Sequence, residues 1–143
     1  MRRFSMLGEH AAVWLAMGLI ARRLDRARRA RWTRATAAVA IAYGLNTAIK
    51  LAVGRRRPDI PELPPLTGTP TALSFPSAHA TTSCAAARAY APLLRDAFGP
   101  GVEAPLWALA GALALSRLYL GVHYPSDVLA GAALGALIGG TAR

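Results

Sequence analysis

This 143-residue sequence is poor in three residue types: it has one cysteine, seven acidic residues and, among its 17 basic residues, a single lysine. The lone cysteine, Cys84, excludes an internal disulfide and a cysteine-built metal site. It falls in an Ala/Ser/Thr-rich stretch and reads as a packing residue. No His-x-x-x-His pair is present, and no internal repeat or low-complexity tail appears. The shortage of carboxylates leaves a net charge of +10. The shortage of lysine makes Lys50 conspicuous in a chain crowded with arginine. Length alone implies one domain, residues 1–143.

What is abundant is apolar. Hydrophobic residues make up 54% of the chain and the mean hydropathy is +0.31. A soluble domain of this size does not normally combine such hydropathy with so high a charge. The charge is concentrated in short stretches, chiefly between Arg22 and Arg34, separated by long Ala/Leu/Val/Ile/Gly segments. This alternation implies an all-α integral membrane helix bundle and argues against nucleic-acid binding, the rival reading for so basic a chain. Five transmembrane helices are expected, at about Phe4–Ala21, Ala35–Val53, Pro76–Leu94, Ala104–Tyr119 and Pro125–Ala142. The first run resembles a signal peptide, but Glu9 and His10 interrupt it and arginines follow it, so it reads as a retained span. Several spans are alanine-rich and at or below ~20 residues, so tight helix packing should matter. Gly131, Gly135 and Gly139 put small residues on one face of the fifth span. Pro58, Pro61, Pro64, Pro65 and Pro70 mark an irregular loop between the second and third.

The basic loop from Arg22 to Arg34 should face the cytoplasm of a plasma (inner) membrane. Counting spans from there brings three motif clusters to the extracytoplasmic side. It also puts the amino terminus outside, where Arg2 and Arg3 oppose the assignment.

The clusters are Lys50 with Arg57-Pro58, Pro76-Ser77-Ala78-His79, and Ser116-Arg117 with His123 and Asp127. Lys50, Arg57 and Arg117 can hold a phosphate dianion by charge and hydrogen bonds. Arg117 lies in an otherwise apolar helix end, where an unneeded charge is expensive. Arg55 and Arg56 read instead as boundary arginines in contact with lipid headgroups. Ser77 can donate a hydroxyl to the anion or simply cap the third helix. His79 at that helix start suits general acid or base work, although a packing histidine is the plainer reading. His123 and Asp127 share a helical face if the turn there is helical, so the aspartate can fix the imidazole tautomer and free the other nitrogen for attack. Asp127 can equally cap the fifth helix, and the two roles are compatible. Two histidines and an aspartate also suggest a metal site, but the surrounding cations oppose that.

Taken together, the clusters resemble the type 2 phosphatidic acid phosphatase (PAP2) family, whose motifs are Lys-x6-Arg-Pro, Pro-Ser-x-His and Ser-Arg-x5-His-x3-Asp. All three occur in order, and the resemblance runs from about Asn46 to the carboxyl end. It implies a metal-independent, cofactor-free lipid phosphate phosphatase. His123 would be the nucleophile that becomes phosphohistidine, Asp127 its support and His79 the acid for the leaving alkoxide. Lys50, Arg57, Ser77, the Ala78 backbone N–H and Arg117 would hold the phosphoryl oxygens, with Ser116 assisting nearby. The implied partner is a lipid or polyprenyl phosphate, including a polyprenyl diphosphate or decaprenylphosphoryl phosphoribose. A non-catalytic lipid-phosphate-binding scaffold is the alternative, although binding alone does not need an acid and a nucleophile. The chain departs from the family pattern in having Ala78 where glycine is frequent and five expected spans where many members have six.

Overall fold

The computed structural model of the chain describes residues 11–59 and 66–142. Among these residues the fold is all-helical: α1 Ala12–Leu24, α2 Arg29–Val53, α3 Ala78–Phe98, α4 Ala104–Tyr119 and α5 Pro125–Gly140. One isolated antiparallel bridge joins Arg56 to Leu73. The expected first span from Phe4, the arginines Arg2 and Arg3, and Pro61, Pro64 and Pro65 of the loop lie wholly or partly outside the described residues.

The starts of α4 and α5 fall where expected. Pro105 and Pro125 stand in their first turns, where a missing N–H costs no hydrogen bond. The start of α2 does not. It begins at Arg29, six residues ahead of the expected Ala35, because the basic residues there are helical. Charge ends a bilayer-compatible segment without ending a helix. The turn before α2 is fixed by Asp25, whose carboxylate accepts the Arg28 N–H and the Trp32 Nε1–H, each at 3.1 Å. Among the described residues, only α2 is long and apolar enough by itself to cross a membrane.

α3 is the hub, packing against each of the other four helices. Its tightest partner is α5, which runs parallel to it. Gly131 abuts Ser77 and Thr81, Gly135 abuts Thr81 and Ala85, and Gly139 abuts Ala85 and Arg88. A Cβ on any of these three glycines would collide with backbone carbonyl oxygens of α3. The expected glycine face is therefore a packing seam, and it begins next to the motif residues Ser77 and Asp127, where the Ser77 N–H donates to the Asp127 carbonyl at 3.0 Å.

α1 is fastened by Trp14 Nε1–H to Ser83 Oγ at 3.1 Å and by Tyr90 O–H to the Trp14 carbonyl at 3.0 Å. Asn46, fully buried in α2, donates to Thr81 Oγ1 at 2.9 Å and to the Pro76 carbonyl at 3.3 Å. Gly54 closes α2 in a left-handed conformation (φ 65°). The following loop is pinned by the Ser74 N–H to the Arg55 carbonyl at 2.8 Å.

Candidate active site

The four chain segments that carry the motif residues meet at one end of the bundle: the end of α2, the start of α3, the end of α4 and the start of α5. Between them lies a cavity of about 140 Å³. Lys50, Arg57, Ala78, His79, Arg117 and His123 all line it. Tyr43 and Thr47 extend its wall along α2. The two histidines, far apart in sequence, thus open into one small space walled by cations.

Each side chain arrives there for a local reason. Lys50 and Asn46 are four residues apart and share a face of α2. Arg117 occupies the last turn of α4 and is 3% exposed. Gly121, in a left-handed conformation (φ 69°), then turns the chain so that His123 returns to the cavity. His79 stands in the first turn of α3, whose free N–H groups and dipole favour an anion.

The His123 ring is held from both sides. Arg57 Nη1 lies 3.1 Å from Nε2 and also donates to the Val122 carbonyl at 2.8 Å. A guanidinium can only donate, so Nε2 is the accepting nitrogen and the ring proton belongs on Nδ1. Nδ1 faces Asp127 Oδ2 at 3.5 Å, the outer edge of hydrogen-bonding distance, and has no closer partner among the described residues. Asp127 is fully buried. Its Oδ2 also accepts the Tyr124 N–H at 2.9 Å, so it braces the start of α5 as well as facing the imidazole. Burial, together with the charges of Arg57, Lys50, Arg117 and His79, pushes the His123 pKa down from 6.5 to about 2. The imidazole is therefore neutral at ordinary pH, the form a nucleophile requires. Burial also lowers the Arg57 pKa, against the opposing pull of Asp127.

Three expected residues take up unexpected positions. Lys50 lines the cavity, yet its ammonium donates to the Pro76, Ser74 and Leu73 carbonyls at 2.9, 3.2 and 3.4 Å. Its three donors organise the loop ahead of α3, while its charge faces the cavity. Ser77 makes no side-chain cap for α3, and its Oγ is buried without a partner among the described residues. Ser116 donates its hydroxyl to the Leu113 carbonyl one turn back at 2.7 Å and does not line the cavity.

Arg55 makes contacts that the sequence reading did not include. It is not simply a headgroup-facing arginine. Its Nη1 lies 3.0 Å from Asp127 Oδ1 and 2.9 Å from Ser126 Oγ, and its guanidinium stacks 4.0 Å from the Tyr124 ring centroid. No motif position marks it. Arg56, beside it, is exposed as expected.

Comparison with known proteins agrees with this arrangement. The PAP2 superfamily profile matches residues 31–142. The chain is 43% identical over 138 residues to a decaprenylphosphoryl-5-phosphoribose phosphatase of Mycobacterium tuberculosis, covering 96% of this chain and 74% of that protein. It is 39% identical over 101 residues to a lipid A 1-phosphatase of Rhizobium johnstonii, covering 64% of this chain and 38% of that one. The crystal structure of a transmembrane PAP2-type phosphatidylglycerolphosphate phosphatase from Bacillus subtilis superposes with a TM-score of 0.70 at 27% identity, covering 97% of this chain and 71% of that one.

Proposed function

This chain belongs to the PAP2 superfamily and is a lipid or polyprenyl phosphate phosphatase, and we propose that it cleaves its substrate between His79 and His123 through a phosphohistidine. The observation that carries this reading is that both imidazoles open into the same cation-walled cavity, with Asp127 behind His123.

The proposed steps use the groups that line the cavity. The phosphoryl oxygens take hydrogen bonds from Arg57 and Arg117 and feel the charge of Lys50. They draw Arg57 off the His123 ring, which frees Nε2. The Nε2 lone pair attacks phosphorus, the phosphorus–ester oxygen bond breaks, and its electron pair leaves on the ester oxygen. Protonated His79 gives that oxygen its proton, so the carrier departs as an alcohol. Asp127 stabilises the positive charge that develops on the His123 ring. A water then attacks the phosphohistidine and gives its proton to His79. The nitrogen–phosphorus bond breaks, its pair returns to Nε2, and inorganic phosphate leaves.

The proposed substrate is a polyprenyl-linked sugar phosphate of the decaprenylphosphoryl phosphoribose class, a monoester on a lipid-borne sugar. The similarity to the mycobacterial phosphatase supports this choice over the lipid A type, because it extends over nearly the whole chain.

All five helices are proposed to lie in the plasma membrane as one domain, with the cavity on the extracytoplasmic side. Leu51, Leu115, Leu129 and Leu137 point outward at 70, 63, 71 and 73% exposure, while small polar residues such as Thr81, Thr82 and Ser83 are buried. That distribution suits lipid outside and close helix contact inside. The arginines between Arg22 and Arg34 lie at the other end of the bundle from the cavity, which favours a cytoplasmic position for that end.

The test is phosphate release by the purified protein from decaprenylphosphoryl-5-phosphoribose, lipid A and phosphatidic acid. Release is expected from the first substrate and none from a folded His123→Ala variant. Unchanged release by His123→Ala would overturn the nucleophile, and binding without release of any substrate would favour the scaffold reading. For sidedness, Thr69→Cys in a Cys84→Ser background should react with an impermeant maleimide on intact cells. Reaction only after rupture would reverse the topology.

A further inference from the structure

We propose that the end of the bundle opposite the cavity carries a second anion site, built for the phosphodiester headgroup of an anionic membrane phospholipid, with Arg88 at its centre. The site is independent of catalysis. Gly139 packs on Ala85 and Arg88, and α5 stops at Gly140, but α3 runs on to Phe98. Among the described residues, about 15 Å of α3 beyond Arg88 has no α5 beside it. The recess left above the end of α5 is a cavity of about 390 Å³, lined by Arg88, Pro92 and Arg95 of α3, Arg31 of α2, and Gly139 of α5.

Arg88 is the unusual member. It sits at the middle of α3, is half-buried, and makes no hydrogen bond or ion pair among the described residues. The other two lining arginines already have carboxylate partners, Arg31 with Asp96 at 2.7 Å and Arg95 with Glu103 at 3.8 Å, which leaves Arg88. Among the described residues, that half of the bundle holds Arg22, Arg23, Arg26, Arg28, Arg29, Arg31, Arg34, Arg88 and Arg95 against Asp25, Asp96 and Glu103, nine positive charges against three negative. A guanidinium at this depth in a bilayer bundle is retained at a cost unless an anion meets it. A lipid phosphodiester meets it bidentately, and a basic pocket between helices is a natural headgroup site. Leu137 and Phe98, exposed on the same two helices, offer apolar surface for the acyl chains.

The shared chemistry is a phosphate anion, so the test separates lipid from free ion. The whole protein, purified in mild detergent, is offered phosphatidylglycerol, phosphatidylcholine or inorganic phosphate, and retained molecules are counted by native mass spectrometry. Phosphatidylglycerol is a phosphodiester and should survive unhydrolysed. Wild type and His123→Ala should both retain it over phosphatidylcholine, and Arg88→Gln should retain at least about fivefold less. Displacement by millimolar inorganic phosphate would overturn the lipid assignment in favour of a free-anion site. Equal retention by Arg88→Gln, or of phosphatidylcholine by wild type, would overturn the site itself. If Arg88→Gln does not fold, the wild-type melting temperature decides. It should rise with phosphatidylglycerol and not with phosphatidylcholine, and a common response to both refutes the proposal.

Discussion

Arg55 Nη1 lies 3.0 Å from Asp127 Oδ1, while the other oxygen of the same buried carboxylate faces His123 Nδ1 at 3.5 Å. The guanidinium of Arg55 thus meets the buried carboxylate on the side away from the imidazole. The Tyr124 ring under the guanidinium and the Ser126 hydroxyl keep Arg55 in place. In the proposed mechanism Arg55 positions the carboxylate that supports His123. Arg55→Met should lower kcat by about 10-fold or more with KM little changed, as expected for a lost interaction that matters in the transition state. Arg55→Lys should recover part of the loss, since it restores charge without the flat stack. Steady-state kinetics on the phosphoribosyl lipid decide the matter: a loss carried wholly by KM would make Arg55 a substrate contact instead.

The environment of His123 has a stability signature. Its pKa is about 2 in the folded protein against 6.5 for the free side chain. Between those values the unfolded chain binds a proton that the folded chain refuses, so stability rises with pH. The contribution is whole above about pH 6.5 and drains away as the pH falls toward 2. Melting temperatures of substrate-free protein in detergent should therefore drop more steeply from pH 7 to pH 4 for wild type than for His123→Gln. Parallel slopes would show that His123 is not held neutral by its surroundings.

The seam between α3 and α5 predicts a steric result. A methyl at Gly135 meets the Thr81 carbonyl, which is backbone and cannot swing aside. Gly135→Ala should destabilise by about 1–3 kcal/mol, the usual range for overpacking. Gly111→Ala is the control, because nothing lies within 4 Å of a Cβ there. Comparing the melting temperatures of the two variants tests the seam, and equal values would remove it.

The proposed chemistry places cationic side chains where other phosphatases place metal ions. Phosphate release should persist in excess chelator, and vanadate should inhibit by adopting the five-coordinate geometry of the reacting phosphorus. Activity lost to chelation and restored by zinc or magnesium would sink the cationic mechanism.

Much of this site is legible in the sequence because motif spacing survives folding. Lys50, Arg57, His79, Arg117 and His123 all reach one cavity, and Asp127 stands behind it. The residues that escaped notice are those whose role depends on how the chain turns between elements. Arg55 looks like any boundary arginine until the Arg56–Leu73 bridge and the Ser74 bond shape its loop. Asn46 gains its meaning only from Thr81 and Pro76, which are distant in sequence. Lys50 was expected to serve phosphate alone, since nothing local predicts three carbonyls converging on its ammonium. In the fold, Pro105 and Pro125 mark helix starts directly, whereas the start of α2 hides among arginines that are both helical and charged.

The glycine seam also acts as a ruler. His79 rides on α3, and Asp127, which faces His123, rides on α5. With the two backbones interlocked at every turn, α5 has no comfortable resting place a fraction of a turn up or down. The next matching notch is one helical pitch away, about 5.4 Å. The gap between the proposed acid and nucleophile is therefore set in whole steps rather than by gradual drift.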